Sequence, residues 1–150
     1  MSSSGSVSHQ IPINVGQGVS TAIAQVVAAA TGRVHEVWRS ADTDQRAALL
    51  CEVCTEDVTY ANPLADSTGV RALAELITRL AGEYPGYLPF RTSGLDVHHD
   101  TARYSWAMRD RRGQTALAGL EIVRFTHEGR LAAIVSFFGQ PPNLAYTYTT

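Results

Sequence analysis

A carboxylate stands inside an apolar strand of the chain. Thr115 to Gly139 reads TALAGLEIVRFTHEGRLAAIVSFFG, and Glu121 lies there between Leu120 and Ile122. Burying an ionised, unpaired carboxylate costs several kcal/mol, so such a group takes a partner, a proton or a water-lined pocket. The last two make an acid/base group; the first makes a structural ion pair, for which Arg103, Arg124 and Arg130 are the candidates. Tyr60 and Asn62 lie two apart in the run Asp57–Asn62 and share a side, where they could orient a substrate oxygen or a water. Asn62 also precedes Pro63, a position where asparagine often bonds local backbone instead.

These groups must be positioned by the elements around them. The central stretch reads as two strands joined at Thr126-His127-Glu128-Gly129, with Gly129 supplying a positive φ. Leu117, Gly119, Glu121, Val123 and Phe125 share one side, and Ala118, Leu120, Ile122 and Arg124 the other. Both sides are mostly apolar, which implies a cavity or helices on one face and a second copy of the chain on the other. Upstream, Ile23, Val26, Val27, Ala30, Val34, Val37 and Trp38 recur at helical spacing from Val19 to about Ser40. Asp42, Thr43 and Asp44 offer caps for a second helix to Cys54; Ser67 or Thr68 would cap a third carrying Val70, Leu73, Ile77 and Leu80. Asp57–Asn62, Phe90–His99 and Ala102–Arg109 read as strands. Helices first and antiparallel strands after predict an α+β fold, with the helices on one face of a strongly curved sheet enclosing a cone.

Composition sets bounds. The chain has 150 residues, 45 % of them hydrophobic, enough for one core. The expected organisation is a flexible leader over 1–18, a single domain over 19–140 and a loosely held tail over 141–150. A net charge of -2, with no basic run, gives no footprint for nucleic acid. The apolar window Val19–Ala30 is too short to span a membrane and lacks a signal-peptide pattern, so a cytoplasmic protein is expected. Cys51 and Cys54 read as buried thiols, since no second Cys/His pair accompanies them for a metal site.

The chain also carries a resemblance. Glu56-Asp57-Val58-Thr59-Tyr60-Ala61-Asn62-Pro63 before a glycine-initiated helix, followed by GLEIVRF, HEGRL and SFFG, resembles the nuclear transport factor two-like superfamily over about Val34 to Gln140. That superfamily includes ketosteroid isomerases, SnoaL-like cyclases and limonene epoxide hydrolases, together with non-catalytic binders. In the isomerase pattern the general base falls on Asn62, which cannot abstract a proton; the oxyanion-hole acid falls on Glu121, and the first-helix tyrosine falls near Val34. In the epoxide hydrolase pattern Tyr60-Ala61-Asn62 and Arg103 are retained, while the two catalytic aspartates fall on Ser105 and Ser136. The resemblance implies a pocket with Glu121, Tyr60, Asn62 and Arg103 as catalytic candidates and Ser105, Trp106, Ile134, Ser136 and Phe138 as substrate-binding candidates.

His98 and His99 are adjacent on a strand and face opposite ways, so at most one reaches the pocket. Asp66 either hangs over the cavity mouth or caps the third helix. The sequence therefore predicts a homodimeric, cofactor-free and metal-free enzyme of the isomerase, cyclase or hydrolase type. It would act by acid/base chemistry on a small apolar, cyclic metabolite of polyketide or terpenoid kind. The alternative is a non-catalytic ligand-binding or dimerisation module of the same fold.

Overall fold

The computed structural model describes residues 11–145. Strand β1 (Ile13–Val15) leads into helix α1 (Thr21–Glu36), capped by Ser20, whose Oγ accepts the Ile23 amide at 3.1 Å. The helix runs through Gly32 and tightens into a 3-10 turn at Val37–Arg39. Asp42 caps α2 (Thr43–Val53) by accepting the Gln45 amide at 2.8 Å. From α2 the buried Arg46 donates to the carbonyls of Val37, Trp38 and Ser40 and to Thr78 Oγ1, which satisfies acceptors that the end of a helix leaves free.

The remaining elements are β2 (Cys54–Asn62), β3 (Ala65–Thr68), α3 (Val70–Glu83), β4 (Leu88–Arg91), β5 (Leu95–His98), β6 (Thr101–Arg109), β7 (Thr115–Phe125) and β8 (Leu131–Phe138). One open sheet has the order β1-β5-β6-β7-β8-β2-β3, with β4 also paired to β6. Its pairs are antiparallel except β1 with β5 and β2 with β8. Three helices pack on this sheet around Val27, Val37, Leu50, Val58, Leu73, Leu95, Val97, Val123 and Leu131, all essentially without solvent exposure. The result is the cone-shaped α+β arrangement expected from the element pattern. The Thr126–Gly129 turn closes with Gly129 N–H bonded to the Thr126 carbonyl at 2.9 Å and φ 85° at the glycine. Among the described residues no helix is long and apolar enough to cross a membrane.

Four details differ from expectation. Ile13–Val15 belong to the sheet, where they pair with Leu95–Val97, so a flexible leader does not extend through them; residues 1–10 lie outside the described residues. Ile11 and Ile13 pack against the core, and these few side chains together with the strand hydrogen bonds hold the segment. Ser67 and Thr68 do not cap α3: they lie in β3, and Gly69 is the cap residue, without a side-chain bond. The cause is Asn62, whose Oδ1 accepts the Leu64 and Ala65 amides at 2.8 and 2.9 Å and folds the chain back on itself at Pro63. Phe90–His99 is split into β4 and β5, both lying along β6, because the chain breaks at Ser93–Gly94 where the Pro12 carbonyl accepts the Leu95 amide. Finally, Cys51 is exposed and only Cys54 is buried, since α2 ends at Val53 and the next residue turns into β2. Residues 141–145 are exposed coil, and 146–150 lie outside the described residues.

Candidate functional site

Between α1, α3 and the inner face of the sheet lies a cavity of about 80 Å³, enough for several waters or a small ligand group. Alternation along the strands decides which side chains enter it. On β6, Ala102, Tyr104, Trp106 and Met108 face inward and are buried, and of these Trp106 and Met108 line the cavity; Arg103 and Ser105 face out. The register places Tyr104 opposite Glu121 on β7, and Glu121 opposite Ser136 on β8, so the three meet on one inner face. Tyr60 and Asn62 reach the same cavity from β2, and His35 and Trp38 from α1 and the turn after it.

Glu121, 8 % exposed, is the centre of the polar set. Its Oε1 accepts the Tyr104 hydroxyl at 2.6 Å and lies 3.2 Å from His35 Nε2. A carboxylate accepting from both leaves the proton of a neutral His35 on Nε2 and the lone pair on Nδ1, which is buried and has no partner. Tyr104 and His35 also meet edge to face, with ring centroids 6.1 Å apart. Burial, reinforced by the neighbouring Glu121 charge, holds the Tyr104 phenol well above its ordinary pKa, so it stays a donor. Burial likewise pushes Tyr60 up to about 12, while the Asn62 amide, donating to its oxygen at 3.2 Å, pulls the other way. Ser136 stands beside the Tyr60 phenol, yet its Oγ makes no hydrogen bond of normal geometry.

The walls are apolar: Val34, Leu73, Leu76, Ile77, Leu80, Pro89, Met108, Leu117, Ile134 and Phe138. Gly119 is required here, because a Cβ at that position would sit 1.7 Å from the Phe137 carbonyl oxygen and 3.1 Å from the Trp106 ring. The missing Cβ leaves room for the indole, which the Phe138 ring meets edge to face at 5.9 Å.

Of the residues expected in the pocket, Glu121, Tyr60, Asn62, Trp106, Ile134, Ser136 and Phe138 line this cavity. Arg103 and Ser105 do not. Arg103 is on the outer face, its guanidinium 2.9 Å from Asp96, whose carboxyl is held below the usual range first by the Asn14 amide and then by Arg103. Ser105 shares that outer face, and its amide donates to Ser93 Oγ. Adjacent strand residues face opposite sides, so Trp106 in the cavity puts Ser105 out of it. The expected arginine partners of Glu121 are likewise elsewhere: Arg124 pairs with Asp100, and Arg130 donates to the carbonyls of Cys51 and Cys54. His98 and His99 are exposed and bonded to each other through their Nδ1 atoms at 3.0 Å, and Asp66 is exposed on β3; none of the three lines the cavity. Among the described residues no group of three or more His, Cys, Asp or Glu is placed to hold a metal ion.

His35 and Tyr104 are site residues that the sequence reading passed over. His35 continues the buried stripe Ala24, Ala28, Thr31 at helical spacing, and Tyr104 alternates with Ala102 and Trp106. Both signals put the side chains indoors, but neither pairs them with Glu121 without the register.

Comparison with solved structures finds the same architecture. A candidate isomerase of the SnoaL-like family from Agrobacterium tumefaciens strain C58 is 27 % identical, with 79 % of this chain and 96 % of that one covered and a TM-score of 0.65. A candidate ketosteroid isomerase from Kribbella flavida is 17 % identical over 82 % of this chain and 84 % of that one, TM-score 0.57. A protein of unknown function from Mesorhizobium loti, described as NTF2-like, is 19 % identical over 83 % and 98 %, TM-score 0.58. Family models and curated proteins give no match.

Proposed function

We propose, from the premise that this chain belongs by fold to the nuclear transport factor two-like superfamily, that it is an acid/base enzyme of the isomerase or cyclase type acting on a small apolar, cyclic molecule. The observation that carries this reading is the buried Tyr104–Glu121–His35 chain at the cavity wall, ending in an unpartnered His35 Nδ1. A buried hydrogen-bonded carboxylate that orients an imidazole and stabilises its cation is a recurrent way to make a general base. His35 Nδ1 takes a proton from a carbon next to a carbonyl: the C–H bond breaks, its electron pair moves into the enolate, and the oxygen charge is met by the Tyr60 and Ser136 hydroxyls. The imidazolium, held by Glu121, returns the proton to another carbon of the same molecule. Glu121 is then the orienting group, a different role from the neutral acid expected from its apolar flanks. Asn62 fixes the Tyr60 phenol and the β2–β3 turn.

The experiment is incubation of the protein with cyclic ketones in deuterium oxide, reading protein-dependent exchange at the α-carbon by mass spectrometry. Exchange that disappears in His35→Gln is expected. Ketones that bind without any exchange above buffer would instead favour a non-catalytic binding module, a reading supported by the small size of the cavity.

A further inference from the structure

Away from the cavity, the turn between β5 and β6 brings together two side chains that strand alternation would hold apart. His98 ends β5, and His99 follows it in the turn. In extended backbone, adjacent side chains point to opposite sides. His99 instead has φ 51°, the one positive φ at a described residue other than glycine, and this left-handed step carries its ring back to His98. The rings meet edge to face with centroids 5.2 Å apart, and the two Nδ1 atoms lie 3.0 Å from each other. The run Gly16-Gln17-Gly18 lies against both residues: a Cβ on Gly16 would stand 3.0 Å from the His98 Cβ, and one on Gly18 would stand 2.7 Å from the His99 ring. The Gln17 carbonyl also accepts the His99 amide at 2.7 Å, which ties this run to the turn.

As neutral side chains, the two imidazoles share one proton between their Nδ1 atoms, one donating and the other accepting. Moving that proton through solvent to Nε2 of the same ring frees both Nδ1 lone pairs, and no proton leaves the protein. Two nitrogens 3.0 Å apart then have the bite of a chelate. At an imidazole–metal bond length of about 2.0–2.1 Å, their separation subtends about 91–97° at the metal. Tetrahedral zinc opens its ligands to about 109°, which needs nitrogens about 3.3–3.4 Å apart. The pair therefore suits neighbouring corners of a square, the arrangement that Cu(II) and Ni(II) prefer, and Cu(II) is the more tightly bound of the two.

We infer that His98 and His99 form a two-nitrogen chelating site for Cu(II), both ligating through Nδ1. Both side chains are exposed, so the ion reaches them without any opening of the fold. Among the described residues no third His, Cys, Asp or Glu completes the set. The carboxylates beside the pair in sequence, Asp96 and Asp100, are engaged by Arg103 at 2.9 Å and Arg124 at 2.8 Å. The remaining positions on the ion go to water and stay open to a small oxygen ligand. Neither histidine lines the cone cavity, so the site stands or falls independently of the acid/base reading.

The test is titration of the full chain with copper(II) sulfate in a buffer that does not bind the metal, read by calorimetry and by electron paramagnetic resonance. One ion per chain is expected, with an axial spectrum split by two nitrogens. His98→Gln and His99→Asn, the latter a residue that accepts left-handed backbone, are each expected to weaken binding about 100-fold, the scale on which a second linked contact raises affinity. His9→Gln and His127→Gln are expected to leave the affinity unchanged. Copper affinity that survives in either His98→Gln or His99→Asn, or no copper taken up by the unmodified chain at micromolar concentration, would overturn the inference. Should either variant fail to fold, the spectrum of the unmodified chain decides by itself: splitting from a single nitrogen, or from three or more, overturns the two-histidine site.

Discussion

On the outer face of the β6–β7 ribbon, Arg103 meets Asp96 at 2.9 Å and Arg124 meets Asp100 at 2.8 Å, with every one of these side chains at least 42 % exposed. On the inner face, Glu121 meets His35 at 3.2 Å with both side chains at most 10 % exposed, and Tyr104 completes the set. The distances are alike and the consequences are not. Water screens the outer pairs and replaces either partner when it is lost, so they contribute little. The inner set is buried away from bulk water: a member left alone becomes an unpaired buried polar group. Burial, and not the number of charged contacts, therefore identifies the part of the sheet on which chemistry can be built.

The strongest way to break this contrast is Glu121→Leu, which strands the Tyr104 hydroxyl and His35 Nε2 together. A loss of about 2–5 kcal/mol in chemical denaturation is expected. Next comes pH. Tyr60 is raised from 10.0 to about 12, so its neutral form is the one the fold favours. Its contribution is complete below pH 10 and is lost as pH rises through 10 to about 12, a span worth about 2–3 kcal/mol. Tyr60→Phe should flatten that part of the stability profile relative to the unmodified protein. Tyr104→Phe removes one bond to Glu121 and keeps the ring, for an expected loss of about 1–2 kcal/mol in the same denaturation experiment. On the outer face, Arg103→Leu should leave the denaturation midpoint unmoved. What that face is expected to do is associate: Val135 and Phe137 are 37 % and 52 % exposed there beside Leu120 and Ile122, which suits a second copy of the chain. Sedimentation at micromolar concentration should show a dimer that Phe137→Glu converts to monomer.

Much of this was legible beforehand. Hydrophobic period, the Asp42 cap, Gly129 and the carboxylate in an apolar strand were enough for the element order, the α+β class and the importance of Glu121. What failed was pairing. Arg103 was assigned to the pocket through the family pattern, although strand alternation sets it opposite Trp106, which was assigned there too. His35 was hidden for a different reason: at helical spacing a histidine on a buried stripe looks like any core residue until a register places a carboxylate 86 positions later against it. The β2–β3 hairpin was missed because Asn62 was weighed as a pocket group or a local backbone partner, and it proves to be both, lining the cavity while its Oδ1 closes the turn.

Glu121 holds His35 with its proton on Nε2 and its lone pair on Nδ1. Long-range proton–nitrogen correlation NMR of the ¹⁵N-labelled protein at neutral pH reads that state directly. A protonated, pyrrole-type Nε2 and an unprotonated, pyridine-type Nδ1 are expected for His35, giving way to a mixture of tautomers in Glu121→Gln; a neutral His35 carrying its proton on Nδ1 in the unmodified protein would overturn this arrangement.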